Sequence, residues 1–281
     1  MRRRSRVSLV PAVAVRFTGG MRDWTATAEA YDRSFATLCD GVSARLLADL
    51  PDGELLDVGC GTGRLAARAE HAGRTVMALD ADESMVEAAR RRLRGQVLRA
   101  ALPDLPLPDA GEGAIAANFV INHVGRPRAA LAELRRVLRP GGRLAMTIWP
   151  AGGASWSALL GEVFEEAGAV LPPPERLPAD EDFDRSADGL TGLAREARLE
   201  VVEARDLHWD WRIRPEDLWA GLEAGIATPG AVVCAQTPQV RARIREVLAA
   251  RTGDLADSGG ILSFPVRAAC ALAARPLDEE A

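Results

Sequence analysis

The 281-residue sequence has no lysine; all 35 of its cationic residues are arginine. That absence removes Schiff-base chemistry and any Walker-type phosphate loop, both of which need a lysine. Histidine is scarce, and His71, His123 and His208 lie far apart. The four cysteines stand at 39, 60, 234 and 270 with no C-x-x-C spacing, which leaves neither a zinc knuckle nor a thioredoxin-like motif. Cys39, Cys234 and Cys270 read as buried, reduced thiols of a cytoplasmic protein. No cluster of metal-ligating residues is visible, so metal-dependent catechol chemistry is disfavoured and no metal is expected. A net charge of −5 argues against nucleic-acid binding through a basic face. No apolar run is long enough to span a bilayer. What is present is a globular composition, 48% hydrophobic and 27% charged, which excludes wholesale disorder.

The first twenty residues stand apart. Arg2, Arg3, Arg4, Arg6 and Arg16 bracket the short apolar run Val7 to Val15. Pro11 and the lack of a small-residue cleavage pattern set the run apart from a signal peptide, so residues 1–20 read as a flexible leader ahead of Met21. Without its five arginines the remainder is near −10 (−5 minus 5). Residues 41–150 alternate short apolar runs with amphipathic stretches. Strands are expected over 54–58, 75–79, 96–100, 114–119 and 143–149, and helices over 64–72, 82–94 and 128–138. Asp82 suits the N-cap of the second helix, Gly95 lies just past its end, and Arg139-Pro140-Gly141-Gly142 stops the third. This alternation predicts βαβ units and a parallel sheet. Residues 151–199 read as a helical cap broken by a Pro- and acid-rich loop over 171–184. Residues 200–281 read as long strands at 200–213 and 263–274, separated by a helical insertion over about 215–250.

The chemistry concentrates in Leu55-Leu56-Asp57-Val58-Gly59-Cys60-Gly61-Thr62-Gly63-Arg64. A strand runs into a glycine loop and then a helix, so a ligand can approach the main chain and meet the helix amides. Three glycines alone could be a tight turn. Asp57, two residues before Gly59, suits a cationic amine and would repel a pyrophosphate. Asp80 ends the next strand, where a doubly wound fold places an acid on ribose hydroxyls. Gly-x-Gly-x-Gly, in place of Gly-x-Gly-x-x-Gly, suits a nucleoside with an amino-acid tail better than a dinucleotide.

These residues, together with Leu79-Asp80-Ala81-Asp82-Glu83-Ser84-Met85, Leu105-Pro106-Leu107-Pro108-Asp109, Asn118-Phe119-Val120-Ile121-Asn122-His123-Val124 and Leu134-Arg135-Arg136-Val137-Leu138-Arg139-Pro140-Gly141-Gly142, make the chain resemble the class I S-adenosylmethionine-dependent methyltransferases of the bacterial small-molecule group. The resemblance covers about 24 to 275. It implies an α/β, doubly wound, seven-stranded and mostly parallel sheet of order 3-2-1-4-5-7-6, its last strand antiparallel, with a helical cap and with residues 21–40 as an N-terminal lid helix. It implies S-adenosylmethionine as cofactor and S-adenosylhomocysteine as product. Asp57, Gly59 and Gly61 would hold the methionine moiety, with contacts from Cys60 and Thr62. Asp80 would take the ribose; Ala81 and Met85 would pack on adenine; Leu102 would offer its backbone to the adenine edge. Asn118 would close the site, and Tyr31 resembles the family's lid aromatic. Ala101 stands where the family usually carries an acid for the adenine amino group. The lost hydrogen bond is worth roughly 0.5–1.5 kcal/mol.

Methyl transfer disperses the sulfonium charge, so alignment and an apolar chamber matter more than acid–base groups. His123, after the fourth strand, is the candidate base. A histidine that fixes the turn there is the competing reading. On the strand 200–213, Leu207, Trp209 and Trp211 share one face, and His208, Asp210 and Arg212 the other. His71 falls near a helix end opposite the chemistry, and Asp104 and Asp109 flank a solvated loop. Among the aromatic residues only Phe119 lies between 41 and 148. The rest either pack a helical cap or form a substrate chamber, with Trp24, Phe35, Trp149, Trp156, Phe183, Trp209 and Trp219 as its candidates. The expected activity is methylation of a small apolar or aromatic acceptor such as a secondary metabolite, on oxygen before nitrogen or carbon, by a monomer or homodimer. A non-catalytic cofactor-binding protein of the same fold is the alternative. A nicotinamide oxidoreductase is disfavoured by Asp57 and the glycine spacing, and an RNA methyltransferase by the acidic balance.

Overall fold

A computed structural model describes residues 24–152, 154–173 and 176–277. The expected leader, residues 1–20, lies outside them. Seven strands, β1 (Glu54–Val58), β2 (Thr75–Asp80), β3 (Gln96–Arg99), β4 (Glu112–Asn118), β5 (Leu138–Ile148), β6 (Glu200–Ile213) and β7 (Leu262–Ala274), form one sheet of order β3-β2-β1-β4-β5-β7-β6. β1 to β5 pair in parallel, and β7 runs antiparallel to both β5 and β6. This is the expected architecture.

The central strands are continuous apolar runs because both sheet faces are covered. Alternation along β1 sends Leu55 into one core layer, with Val42 and Leu46, and Leu56 and Val58 into the opposite layer, with Leu131 and Leu134. Asp57 therefore shares the face of Leu55. That face is covered by α1 (Trp24–Arg33), α2 (Phe35–Asp40), α3 (Ser43–Asp49), α4 (Arg64–His71) and α5 (Glu83–Arg92), and the other by α6 (Pro127–Val137) and α8 (Ala187–Glu196). A third apolar layer joins α7 (Ser155–Glu166), α9 (Pro215–Glu223), α10 (Ala227–Cys234) and α11 (Pro238–Leu255) to Phe35 and Leu38 of α2. It is reached by a β6–β7 ribbon. Residues 269–274 of β7 pair with both β5 and β6, whereas 262–268 pair with β6 alone and extend past the sheet into the cap.

Three local details differ from the sequence reading. Residues 24–40 hold two helices, because the chain turns at Ser34, whose hydroxyl donates back to the Ala30 carbonyl. α5 ends at Arg92, and Gly95 is not its left-handed cap; a Cβ there would stand 2.1 Å from the Val76 carbonyl oxygen, so packing against β2 requires the glycine. No loop separates α6 from β5: the chain passes from Val137 straight into Leu138, and Gly141, at φ +74°, is absorbed by exchange of backbone hydrogen bonds between 141–142 and Arg275. Asp109 is exposed, as expected, but pairs with Arg136.

Candidate active site

The turn after β1 is left-handed at three alternate positions, with φ of +67° at Gly59, +55° at Gly61 and +81° at Gly63. A side chain at Gly59 would strike Val120, 2.5 Å from the built Cβ, and one at Gly61 would press on Tyr31 at 3.2 Å. The turn is thus tight on both sides, and glycine is required both by angle and by space. Asp80, closing β2, ties the turn down: its carboxylate accepts from the Gly61 amide at 2.8 Å and from the Asp82 amide at 2.9 Å. Burial nevertheless raises its pKa. Asp82 in turn caps α5, accepting from the Ser84 and Met85 amides, as its N-cap position predicts.

Asp57 is 1% exposed and its Oδ2 has no hydrogen-bond partner among the described residues. Burial first, and then the charge of Asp80, push its carboxyl up to about 8. A buried, unsatisfied carboxylate oxygen is costly unless a donor or cation meets it. Here it stands at the head of a glycine turn, which is what a ligand carrying a cationic amine requires.

Above the turn sits a latch that the sequence reading missed. Asp32, on α1, accepts from the Thr62 hydroxyl at 2.6 Å, from Arg64 at 3.0 and 3.1 Å, and from Arg92 at 2.9 Å to each oxygen. Burial would raise this carboxyl, but Arg92, Thr62 and Arg64 hold it down at about 2. Arg64 opens α4 and Arg92 ends α5, so one carboxylate fastens the first helix to both. The adjacent Tyr31 lies over Gly61 and against Cys39; burial, then Cys39, raises its pKa well above the ordinary value. Burial likewise pushes the Cys39 thiol up to about 12 and raises Cys60, which leaves both unreactive. With Asp32 latched, a cavity of about 30 Å3 remains between the turn and the lid. That is space for a water or an ammonium, against roughly 300 Å3 or more for a ligand pocket.

The remaining candidates lie as follows. Asn118 donates to the Cys39 carbonyl at 3.1 Å and accepts from Thr147 at 2.7 Å, bridging β4, β5 and the lid. Met85 is buried, Leu102 half-buried, and Ala81 and Ala101 are exposed beside the ends of β2 and β3. His123 is exposed in the turn following β4, its amide donating to the Val120 carbonyl, and it does not line the cavity. His71 sits exposed on the Ala67 carbonyl. Among the described residues no group of three or more His, Cys, Asp or Glu is placed to hold a metal ion, and no helix is long and apolar enough to cross a membrane.

The aromatic residues divide into two packed groups. Phe119, at φ +57°, stacks on Trp149 with centroids 3.8 Å apart, and Trp209 lies 6.1 Å from Trp149. A left-handed phenylalanine is strained, and its occurrence at the strand end beside Asn118 fits the concentration of strain at functional edges. Phe35, Trp156, Trp211 and Phe264 form the second group inside the cap, where the Trp211 indole donates to Thr37. Trp219 packs on the cap and Phe183 lies on the opposite sheet face under Arg185. The side chain of Trp24 lies outside the described residues. Within each group the rings pack on one another, and Phe119 of the first group directly follows Asn118 of the cavity lining.

Residues 56–146 match the family described as "Methyltransferase domain". The chain is 36% identical over 128 residues to the demethylmenaquinone methyltransferase of Clavibacter sepedonicus, covering 42% of this chain and 52% of that protein. It thus spans about half the length of that relative. It is 32% identical over 141 residues to an uncharacterized methyltransferase of Mycobacterium bovis, covering 44% of this chain and 71% of the other. In three dimensions it is similar to the YcgJ protein from Bacillus subtilis, with a TM-score of 0.51 at 16% identity, over 84% of this chain and 98% of that one.

Proposed function

Since the chain belongs to the class I S-adenosylmethionine-dependent methyltransferases, we propose that it transfers a methyl group from S-adenosylmethionine to a small apolar or aromatic acceptor, on oxygen. One observation carries the cofactor part: the buried, unpartnered Oδ2 of Asp57 at the head of the glycine turn. Burial holds a proton on this carboxyl in the free chain, and a cationic amine is the kind of partner that would favour its ionised form. When bound, the cofactor supplies an electrophilic methyl group on a sulfonium. The residues that would hold it are Asp57, Gly59, Cys60, Gly61 and Thr62 at the turn, Asp80 at the ribose, Ala81, Met85, Ala101 and Leu102 along the adenine, and Tyr31 and Asn118 as covers. The acceptor would meet the apolar wall of Phe119, Trp149 and Trp209, which excludes water from the carboxyl edge of β4 and β5.

Isothermal titration with S-adenosylhomocysteine tests the cofactor assignment. Wild-type protein binds it, and Asp80→Ala weakens binding about tenfold or more, because charged hydrogen bonds to the ribose are lost. An unchanged affinity refutes the ribose role. His123 is the proposed proton acceptor for a hydroxyl nucleophile. His123→Ala then lowers kcat on an identified acceptor by roughly two orders of magnitude or more and leaves S-adenosylhomocysteine affinity as it was. Retained turnover assigns the histidine to the turn alone. Ala101 in place of the family's usual adenine-binding acid, and a His123 that does not line the cavity, favour a second reading, a cofactor-binding protein without catalysis. Binding of S-adenosylhomocysteine with no methyl transferred from labelled S-adenosylmethionine to any acceptor in a panel of hydroxylated aromatics would select it.

A further inference from the structure

A second, larger space lies between α1 and α5, a groove of about 450 Å3. Ala28 and Ala88, whose short side chains leave the space, are buried and half-buried, while Glu29, Arg33, Arg91 and Arg92 stand exposed around it. Asp32 and Thr62 of the latch complete the lining. Guanidiniums outnumber carboxylates here. Arg64 and Arg92 share Asp32. Arg33 reaches Asp217 only at 4.0 Å, and Arg91 has no hydrogen bond or ion pair among the described residues. Glu29 is the one further acid in the lining. Arg92 gives Nη1 and Nη2 to Asp32 and Thr62, which leaves its Nε without a described acceptor. In a chain of net charge −5 this is a local surplus of positive charge. Cations at the end of α5 suit its dipole, but that explains neither Arg33 on the facing helix nor the groove between them. The volume falls within the roughly 300–1,000 Å3 of a small-molecule site. A carboxylate ligand would satisfy one guanidinium fork. A phosphate group, with about −1.5 to −2 charge and three acceptor oxygens, can take forks arriving from two helices.

We propose that this groove binds a small phosphorylated anion, which bridges Arg33 of α1 to Arg91 and Arg92 of α5 and clamps the first helix beside the Asp32 latch. The proposal lies outside the methyl-transfer reading and needs no cofactor to be bound. The free Nε of Arg92 lets the anion and Asp32 engage the same guanidinium from different sides, so the clamp adds to the latch without displacing it. Filling the groove also removes the repulsion between Arg33 and the arginines of α5. Loss of the Asp32 charge enlarges the positive surplus, so the anion then binds more tightly and stands in for the missing carboxylate.

Titration calorimetry on the full chain, without S-adenosylhomocysteine, uses inorganic pyrophosphate and ribose 5-phosphate as probes. Potassium chloride at equal ionic strength is the reference, since salt alone screens exposed charges. The wild type binds at least one probe; the tighter of the two says whether the groove suits a free polyphosphate or a phosphate ester. Arg91→Gln removes an exposed side chain that bonds to nothing described, so the variant folds, and it weakens binding about fivefold or more. Asp32→Asn strengthens binding by a similar factor. With the tighter probe at about ten times its Kd, amides of residues 27–33 exchange about tenfold more slowly in the wild type, and Asp32→Asn regains protection on addition of the same probe. Three results would each overturn the clamp: no binding of either probe beyond the chloride reference, an affinity indifferent to Arg91→Gln, or bound probe that leaves exchange of α1 unchanged or faster.

Discussion

Replacing Asp57 with asparagine raises the thermal midpoint of the ligand-free protein at pH 8 and lowers its affinity for S-adenosylhomocysteine. The two effects have one cause. The carboxyl is pushed up from 3.8 to about 8 by burial and by Asp80, so ionising it inside the fold is unfavourable. A raised carboxyl contributes its full share of stability below pH 4, where it is protonated whether the chain is folded or not. That share is lost as pH rises from about 4 to about 8, because the unfolded chain releases the proton freely and the folded chain does not. Asparagine is neutral throughout. The gain from Asp57→Asn is therefore near zero at pH 4 and largest at pH 8, roughly 1–3 kcal/mol for relief of an unsatisfied buried group. In a chain of this size each kcal/mol is worth about 2–4 °C. Scanning calorimetry at pH 5 and pH 8 reads the difference, and titration calorimetry reads the affinity, expected to fall tenfold or more. Equal midpoints at pH 8 would mean that Asp57 is satisfied in the folded chain, and the anchor for the cationic tail would be lost.

Such a stability cost carried by a proposed binding residue is legible in the sequence only in part. The position of Asp57 two residues before the first glycine already marks the carboxylate, because strand and turn residues with this spacing have a fixed geometry. Both long strands were readable from their apolar and alternating patterns, whereas the sheet order came from the family resemblance that the motifs carry. What depends on long-range packing was not. Asp32 reads as one more acid on a surface helix, and Arg64 and Arg92 as two among many arginines; the fold brings them together across 60 residues of chain. The count of aromatic residues sets Phe119 apart in the first half, yet the fold stacks it on Trp149, and periodicity cannot say whether rings line a chamber or fill one another. Gly95 shows the same limit: its position after a helix suggests a cap, whereas its role is a 2.1 Å clearance against β2.

Asp32→Ala is expected to free the lid. The side chain is the shared acceptor of two guanidiniums and a hydroxyl, and without it Arg64 and Arg92 are left as like charges around Thr62. The partners are partly exposed, at 31% for each arginine, so the cost is discounted from that of a fully buried pair to roughly 1–3 kcal/mol. That cost falls on α1 more than on the sheet, because the latch joins α1 to α4 and α5 and bears on no strand. Backbone amides of residues 27–33 should exchange with solvent about tenfold faster or more in the variant, while amides of β1 and β4 keep their protection. On the proposed role of α1 as a cover of the cofactor, dissociation of S-adenosylhomocysteine should quicken by a similar factor. The pH dependence has the opposite sign to that of Asp57. With the carboxyl held down at about 2, the latch contributes fully above pH 4 and is lost as pH falls toward 2. Wild-type lid amides should therefore lose protection between pH 4 and pH 2, whereas those of Asp32→Ala, already unlatched, change little over that interval. Asp32→Asn, which keeps one acceptor and loses the charge, should fall between the two. Lid exchange indifferent to both substitutions would assign closure to the apolar contacts of Tyr31 and Phe35 instead of the ion cluster.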